Sequence, residues 1–178
     1  MRVFVCVFLA LWGIIMPFPN ICTAIGDLGI EVERPSGEAE KIERCQYCGR
    51  VINVGRIHGD AELFLKNLLG TALVDRDVGY VDGKRKTQYI NVFIYRYEER
   101  QGGSYAVDKP ASIGFHVHLM NRGVLKRFFV CEEDQQALME NLFSIGKFME
   151  RGGKWVTAER LSSDCINKGI DKLLEGLE

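Results

Sequence analysis

The sequence predicts an α+β fold, a two-layer domain in which helices cover one face of a mainly antiparallel sheet. Three observations predict it. Gln88 to Glu98 is dense in Tyr, Ile, Val and Phe, and Ala111 to Met120 alternates with a period of two. Before and after this β-rich stretch, apolar residues recur at spacings of three and four, the period of a half-buried helix. No internal repeat, heptad or low-complexity run interrupts the chain after residue 50. The predicted order is strand, helix, three-stranded meander, then two helices.

Each element has a local reason. Val51 to Ile57 is short and β-branched, as a strand should be. Asp60 stands at an N-cap position ahead of Ala61, Leu65, Leu68, Leu69, Ala72 and Leu73, which gives a helix over about 60 to 74, buried around much of its girth. Asp82-Gly83 marks a turn into the β segment 88 to 98, and Gln101-Gly102-Gly103-Ser104 the bend out of it. In the next strand Ala111, Ile113, Phe115, Val117 and Leu119 form one buried face, while Ser112, Gly114, His116, His118 and Met120 form an opposite, polar face. Asn121-Arg122-Gly123 is a short hairpin connection to a third strand, Val124 to Cys131. Three acids, Glu132 to Asp134, then precede a helical period running from Ala137 to Met149 that Gly152-Gly153 stops. Thr157 is the N-cap of a last helix carrying Leu161, Ile166, Ile170 and Leu173.

The N-terminus carries an address. After Arg2, no charged residue occurs until Asp27, and the apolar heart spans Val3 to Met16. A positive start, an apolar region of roughly 7–15 residues and a small-residue cleavage site define a secretory signal. Cys22-Thr23-Ala24 supplies that site, so cleavage is expected after Ala24. Pro17, Pro19 and Asn20 interrupt the helix that an uncleaved anchor would need. Lipid attachment at Cys22 is a further reading, which would give membrane association through the N-terminus. The expected organisation is a signal peptide over 1–24, a flexible leader over 25–44 and one α+β domain over 45–178, in a periplasmic or outer-membrane-associated location.

The chain of 178 residues has 23 Lys+Arg against 24 Asp+Glu, a formal net charge of -1. That balance provides no general attraction for nucleic acid. Arg76, Lys84, Arg85 and Lys86 near Tyr95 and Tyr97 read as a solvated loop beside a sheet core. No Gly-x-Ser-x-Gly elbow, His-Glu-x-x-His or phosphate-loop spacing occurs. No catalytic residue is therefore nominated, and a non-enzymatic module is expected.

A scatter of short motifs resembles a family. Tyr97-Glu98-Glu99-Arg100, Gly103-Ser104-Tyr105-Ala106-Val107, Pro110-Ala111-Ser112, Glu133-Asp134-Gln135 and Arg151-Gly152-Gly153-Lys154-Trp155-Val156-Thr157-Ala158 are similar to those of small, largely uncharacterised bacterial cell-envelope lipoproteins. That family's fold is like the N-terminal domain of the Tol-Pal translocation protein and the periplasmic domain of curli-secretion-type lipoproteins. The resemblance covers roughly residues 45 to 177. It implies an exported binding or assembly module whose partners are envelope proteins, and the residues before Cys22 depart from the family's lipobox.

The most specific chemical motif is Cys45-Gln46-Tyr47-Cys48-Gly49. Two sulfurs two residues apart with a following glycine form half of a zinc knuckle, because the tight turn aims both at one ion. A disulfide or inert thiols, a structural zinc, and a redox dithiol are the readings of Cys45 and Cys48. The remaining ligand candidates are Cys131, Cys165, and the strand pair His116 and His118, whose i, i+2 spacing places them on one face. Without the other half of the knuckle, the sequence names no complete cofactor site.

Overall fold

A computed structural model describes residues 27–36, 41–84, 86–102, 107–135, 149–150, 152 and 154–175. The expected signal peptide, Cys22 and the expected helix over 137 to 149 lie almost wholly outside the described residues. In chain order the elements are β1 (Leu28–Glu33), β2 (Lys41–Arg44), β3 (Val51–Val54), α1 (Ala61–Val74), β4 (Tyr80–Asp82), β5 (Gln88–Glu98), β6 (Gln101–Gly102), β7 (Val107–Lys109), β8 (Ser112–Asn121), β9 (Val124–Asp134) and α2 (Ala158–Leu174).

The α+β class holds. A five-stranded sheet has the order β4-β1-β5-β8-β9, and β2-β3 and β6-β7 are separate two-stranded ribbons. The predicted meander is β5, β8 and β9, joined antiparallel, with the β6-β7 ribbon inserted between its first two strands. Arg122 and Gly123 alone form the β8–β9 connection, both at positive φ (51° and 76°), the mirror-image turn that suits the twist of paired strands.

The leader expected over 25–44 is corrected. Its residues Leu28–Glu33 form β1, which lies between β4 and β5 and is parallel to both, so the sheet is mixed. Leu28 and Ile30, both fully buried, anchor it with Val32 packed partly buried beside them, and the charges at Glu31 and Glu33 dilute the apolar signal that a strand usually shows. Lys41–Arg44, from the same segment, form β2 and pair antiparallel with β3.

The main core lies between the sheet and the two helices. Leu65, Leu69 and Leu73 of α1 and Leu161, Ile166, Ile170 and Leu173 of α2 meet Ile90, Val92, Ile94, Ile113, Phe115 and Val117. Burying each such side chain contributes about 1.5–3 kcal/mol. Thr157 caps α2 as expected, its hydroxyl accepting the Arg160 N–H, and the Glu99 carboxylate accepts the Ala158 N–H beside it. Asp60 precedes α1 but makes no side-chain cap bond. On the core side of β9, Cys131 is joined by a disulfide to Cys165 of α2.

The second face of the sheet is not open to water. The β2-β3 ribbon lies over it, and Cys45, Ile52 and Val54 pack there on Phe93 and Tyr95. The polar face predicted for β8 is therefore buried: His116 is 1% exposed and His118 0%. Gly114 on that face leaves room for the Tyr95 ring, since a Cβ there would come within 2.4 Å of it.

Candidate metal centre

Residues Cys45 to Arg50 close the β2-β3 ribbon. The Cys45 N–H donates to the Arg50 carbonyl at 2.8 Å, and the Gly49 N–H donates to the Cys45 carbonyl at 2.8 Å. Gly49 holds φ +72°, a conformation that a residue with a Cβ adopts at a cost. The backbone N–H groups of Tyr47 and Cys48 favour the anionic form of the Cys45 sulfur. Such a turn brings two sulfurs to one side and stabilises negative charge on one of them.

Facing the turn, β8 presents two imidazoles. Cys45 Sγ lies 3.4 Å from His118 Nε2, and Cys48 Sγ lies 3.4 Å from His116 Nδ1. One ligand atom from each of the four residues lies within 4.8 Å of the others. For metal–sulfur bonds of ~2.3 Å and metal–nitrogen bonds of ~2.0–2.1 Å, the edges of a tetrahedron span about 3.3–3.8 Å. Two of the four sulfur–nitrogen edges already have that length.

The other nitrogen of each ring is also held. His118 Nδ1 is 3.4 Å from Asn91 Oδ1, and His116 Nε2 is 3.3 Å from Tyr95 Oη. Both contacts suit the tautomer in which the outer nitrogen donates its proton and the inner one is free to bind a metal. Behind Asn91 the chain continues: Asn91 Nδ2 donates to Tyr47 Oη at 3.4 Å, Tyr47 Oη donates to the Glu33 carboxylate, and Lys84 Nζ lies 2.6 Å from Glu33. Replacing Asn91 with Leu leaves the His118 Nδ1 proton without its acceptor. We expect Asn91→Leu to weaken metal binding about 10–100-fold while the chain stays folded, measured by competition with a chromogenic chelator.

Burial sets the charge of these groups. It lowers both imidazoles to about 4 from an ordinary 6.5, helped at His116 by the Arg50 charge and at His118 by His116. Both rings are neutral near pH 7, the form that ligates. Burial also pushes the Cys45 thiol up, so without a cation the sulfur keeps its proton. For the metal-free chain the sign follows directly. Each folded-state value lies below its unfolded one, so the unfolded chain takes up protons first as pH falls. The rings cost nothing above about pH 6.5, and stability is then lost progressively toward pH 4. Denaturant unfolding of metal-free protein at pH 7 and pH 5 should differ by roughly 1–2 kcal/mol per ring.

The donor set fits a metal of zinc type. Two thiols and two imidazoles make a Cys2His2 set, which selects Zn over oxygen-seeking cations. Four protein ligands leave no open coordination position, as in sites that hold a fold together. Cys45 and Cys48 are free thiols, so the disulfide considered for this pair is not formed. The other two cysteines do not join the centre. Cys131 lies opposite Phe115 on the helix-covered face, and its sulfur is consumed by the bond to Cys165, which removes both as metal ligands. His58, alone in the sequence, is exposed and apart from the cluster.

No protein-family model matches the chain, and no curated protein matches it in sequence. Solved structures give distant similarity. An uncharacterized protein is 18% identical with a TM-score of 0.37, over 82% of this chain and 92% of that one. A DUF330 protein from Xanthomonas campestris is 11% identical with a TM-score of 0.41, over 83% and 86%. A minor lipoprotein from Acinetobacter baumannii is 12% identical with a TM-score of 0.32, over 81% and 92%. Similarity at these scores assigns no function. Among the described residues, no helix is long and apolar enough to cross a membrane.

Sequence reasoning had each half of the centre without joining them. The Cys-x-x-Cys-Gly turn and the His-x-His strand stand 68 and 73 residues apart in their contacting pairs. What it missed was Asn91 and Tyr95, whose place behind the rings depends on the β5–β8 register and has no local motif.

Proposed function

We propose that the chain is an exported bacterial envelope protein, a non-enzymatic binding or assembly module, whose second sheet face is fastened by a structural zinc ion on Cys45, Cys48, His116 and His118. The observation that carries this reading is the contrast between two cysteine pairs. Cys131 and Cys165 are oxidised to a disulfide, a bond that persists in secreted and periplasmic compartments, whereas Cys45 and Cys48 stand as free thiols against two buried imidazoles. In an oxidising compartment, coordination protects a vicinal thiol pair. The uncharged, apolar N-terminal segment supports export, and the family resemblance of residues 45 to 177 favours an envelope module of the Tol-Pal or curli-secretion type.

The zinc would be held by all four side chains and would supply cross-linking of the ribbon to the sheet. A thiol-redox role is less favoured. Redox thiols have lowered pKa values beside positive charge or a helix N-terminus, while burial drives Cys45 the other way.

The reading is tested on protein isolated from the native envelope without reductant, by intact mass under non-denaturing and denaturing conditions. The expected species begins at Ile25, carries one disulfide and one zinc, and releases the zinc on denaturation. A diacylglycerol adduct on Cys22 would support export with a lipid anchor. A metal-free species with a second disulfide would overturn the zinc centre, and recovery of the uncleaved chain from the cytoplasm alone would overturn export.

A further inference from the structure

Where β1 and β5 begin and the β8–β9 turn closes, the sheet ends in a cavity of about 560 Å³ that shares no lining residue with the metal centre. Lys86, Arg122 and Lys126 line it, with Asp27 and Thr87 beside them. These cations come from three places in the chain: the approach to β5, the hairpin turn, and β9. Lys86 Nζ stands 3.8 Å from Asp27, both groups about half exposed. Among the described lining residues Asp27 is the one carboxylate, so the cavity carries a surplus of two positive charges.

Arg122 adds an independent observation. It occupies the first position of the two-residue turn at φ 51°, where Asn, Asp or Gly is the ordinary choice and a long side chain is uncommon. Its own N–H donates to the Thr87 carbonyl at 2.8 Å, which fixes the turn against the segment carrying Lys86. The unfavourable backbone thus places an arginine in the lining of the cavity beside two lysines. A planar fork flanked by point charges is suited to an anion with several oxygens, and a surplus of two charges matches a doubly charged one.

We infer that this cavity is a binding site for a phosphate group, with Arg122 and Lys126 as its principal contacts and Lys86 as a third, drawn from Asp27 when the anion enters. The phosphate is either free or part of a headgroup at the membrane surface to which the apolar N-terminal segment directs the chain.

Arg122→Gly separates a binding role from a structural one, because glycine suits φ 51° better than arginine does. The variant should melt no lower than the parent, yet bind about tenfold more weakly, the loss expected for one charge-assisted hydrogen bond. Lys126→Gln should bind several-fold more weakly. Equilibrium dialysis of the full chain against labelled inorganic phosphate at low ionic strength reads the free anion. Flotation with phosphatidylglycerol vesicles, taken relative to phosphatidylcholine vesicles, reads the headgroup. Phosphate binding weakened in both variants establishes a site for the free anion. A preference for phosphatidylglycerol that both variants reduce, without binding of free phosphate, establishes a headgroup site. If neither probe binds the parent more tightly than the two variants, the inference is overturned.

Discussion

Stripping the proposed zinc from the Cys45-Cys48-His116-His118 centre is expected to lower the melting temperature by about 10 °C. A structural ion present at ~1,000 times its dissociation constant stabilises a fold by about 4 kcal/mol. For a chain of 150–250 residues each kcal/mol moves the midpoint by about 2–4 °C. The effect should be local in origin. The ribbon's buried apolar contacts on the sheet are few, Ile52 and Val54 with Cys45 against Phe93 and Tyr95, so the ion would be the main tie of its Cys45 end, the end away from the Gly55 and His58 backbone bonds to β5. Calorimetry with and without a chelator gives the shift. Hydrogen exchange should show protection lost over 41–54 and retained in α1. Cys48→Ser should reproduce the loss, and the chelator should then do nothing more. A chelator that shifts the parent and Cys48→Ser equally would place the metal elsewhere.

The second large effect is expected at the disulfide. Cys131 and Cys165 close a loop with a sequence separation of 34, and the loop-entropy relation gives about 4 kcal/mol for a cross-link of that length. Replacing both with Ala should therefore cost about 2–4 kcal/mol, measured by urea unfolding. The chief consequence should be looser attachment of α2 to β9, because the bond joins those two elements directly. Zinc content should not change, since the disulfide lies on the helix-covered face and the centre on the other. The two losses should add when combined, as expected for sites with no shared partner. Strong non-additivity would mean that the two faces of the sheet are coupled through β8.

The α+β class and the meander were legible because β5 and β8 carry dense apolar and alternating patterns, and α1 and α2 carry helical ones. β1 was not. Its hold on the sheet comes from partners more than fifty residues away, and the alternation of Leu28, Ile30 and Val32 spans only six residues, too short to stand out from the charged segment around it. The burial of His116 and His118 was hidden for a related reason. Alternation tells which side chains share a face, but a second layer over that face is supplied by another segment, here the β2-β3 ribbon. The Cys45 turn was legible as chemistry, since spacing and the following glycine are local. Its partners were not, because they depend on which face of the sheet the ribbon covers.

The place of β1 also fixes an order of events. A chain synthesised from its N-terminus delivers Leu28–Glu33 before both neighbouring strands, Tyr80–Asp82 and Gln88–Glu98, which follow only after α1. For that interval β1 has an unsatisfied backbone on both edges. It must remain extended and unpaired until β4 and β5 arrive, and a parallel pairing over such a separation is slow to form. During this wait the charges at Glu31, Glu33 and Arg34 act as a guard. They keep a short sticky segment soluble and discourage it from pairing with the same segment of another chain. The dilution that conceals the strand from a reader of the sequence would thus conceal it equally from the wrong partner.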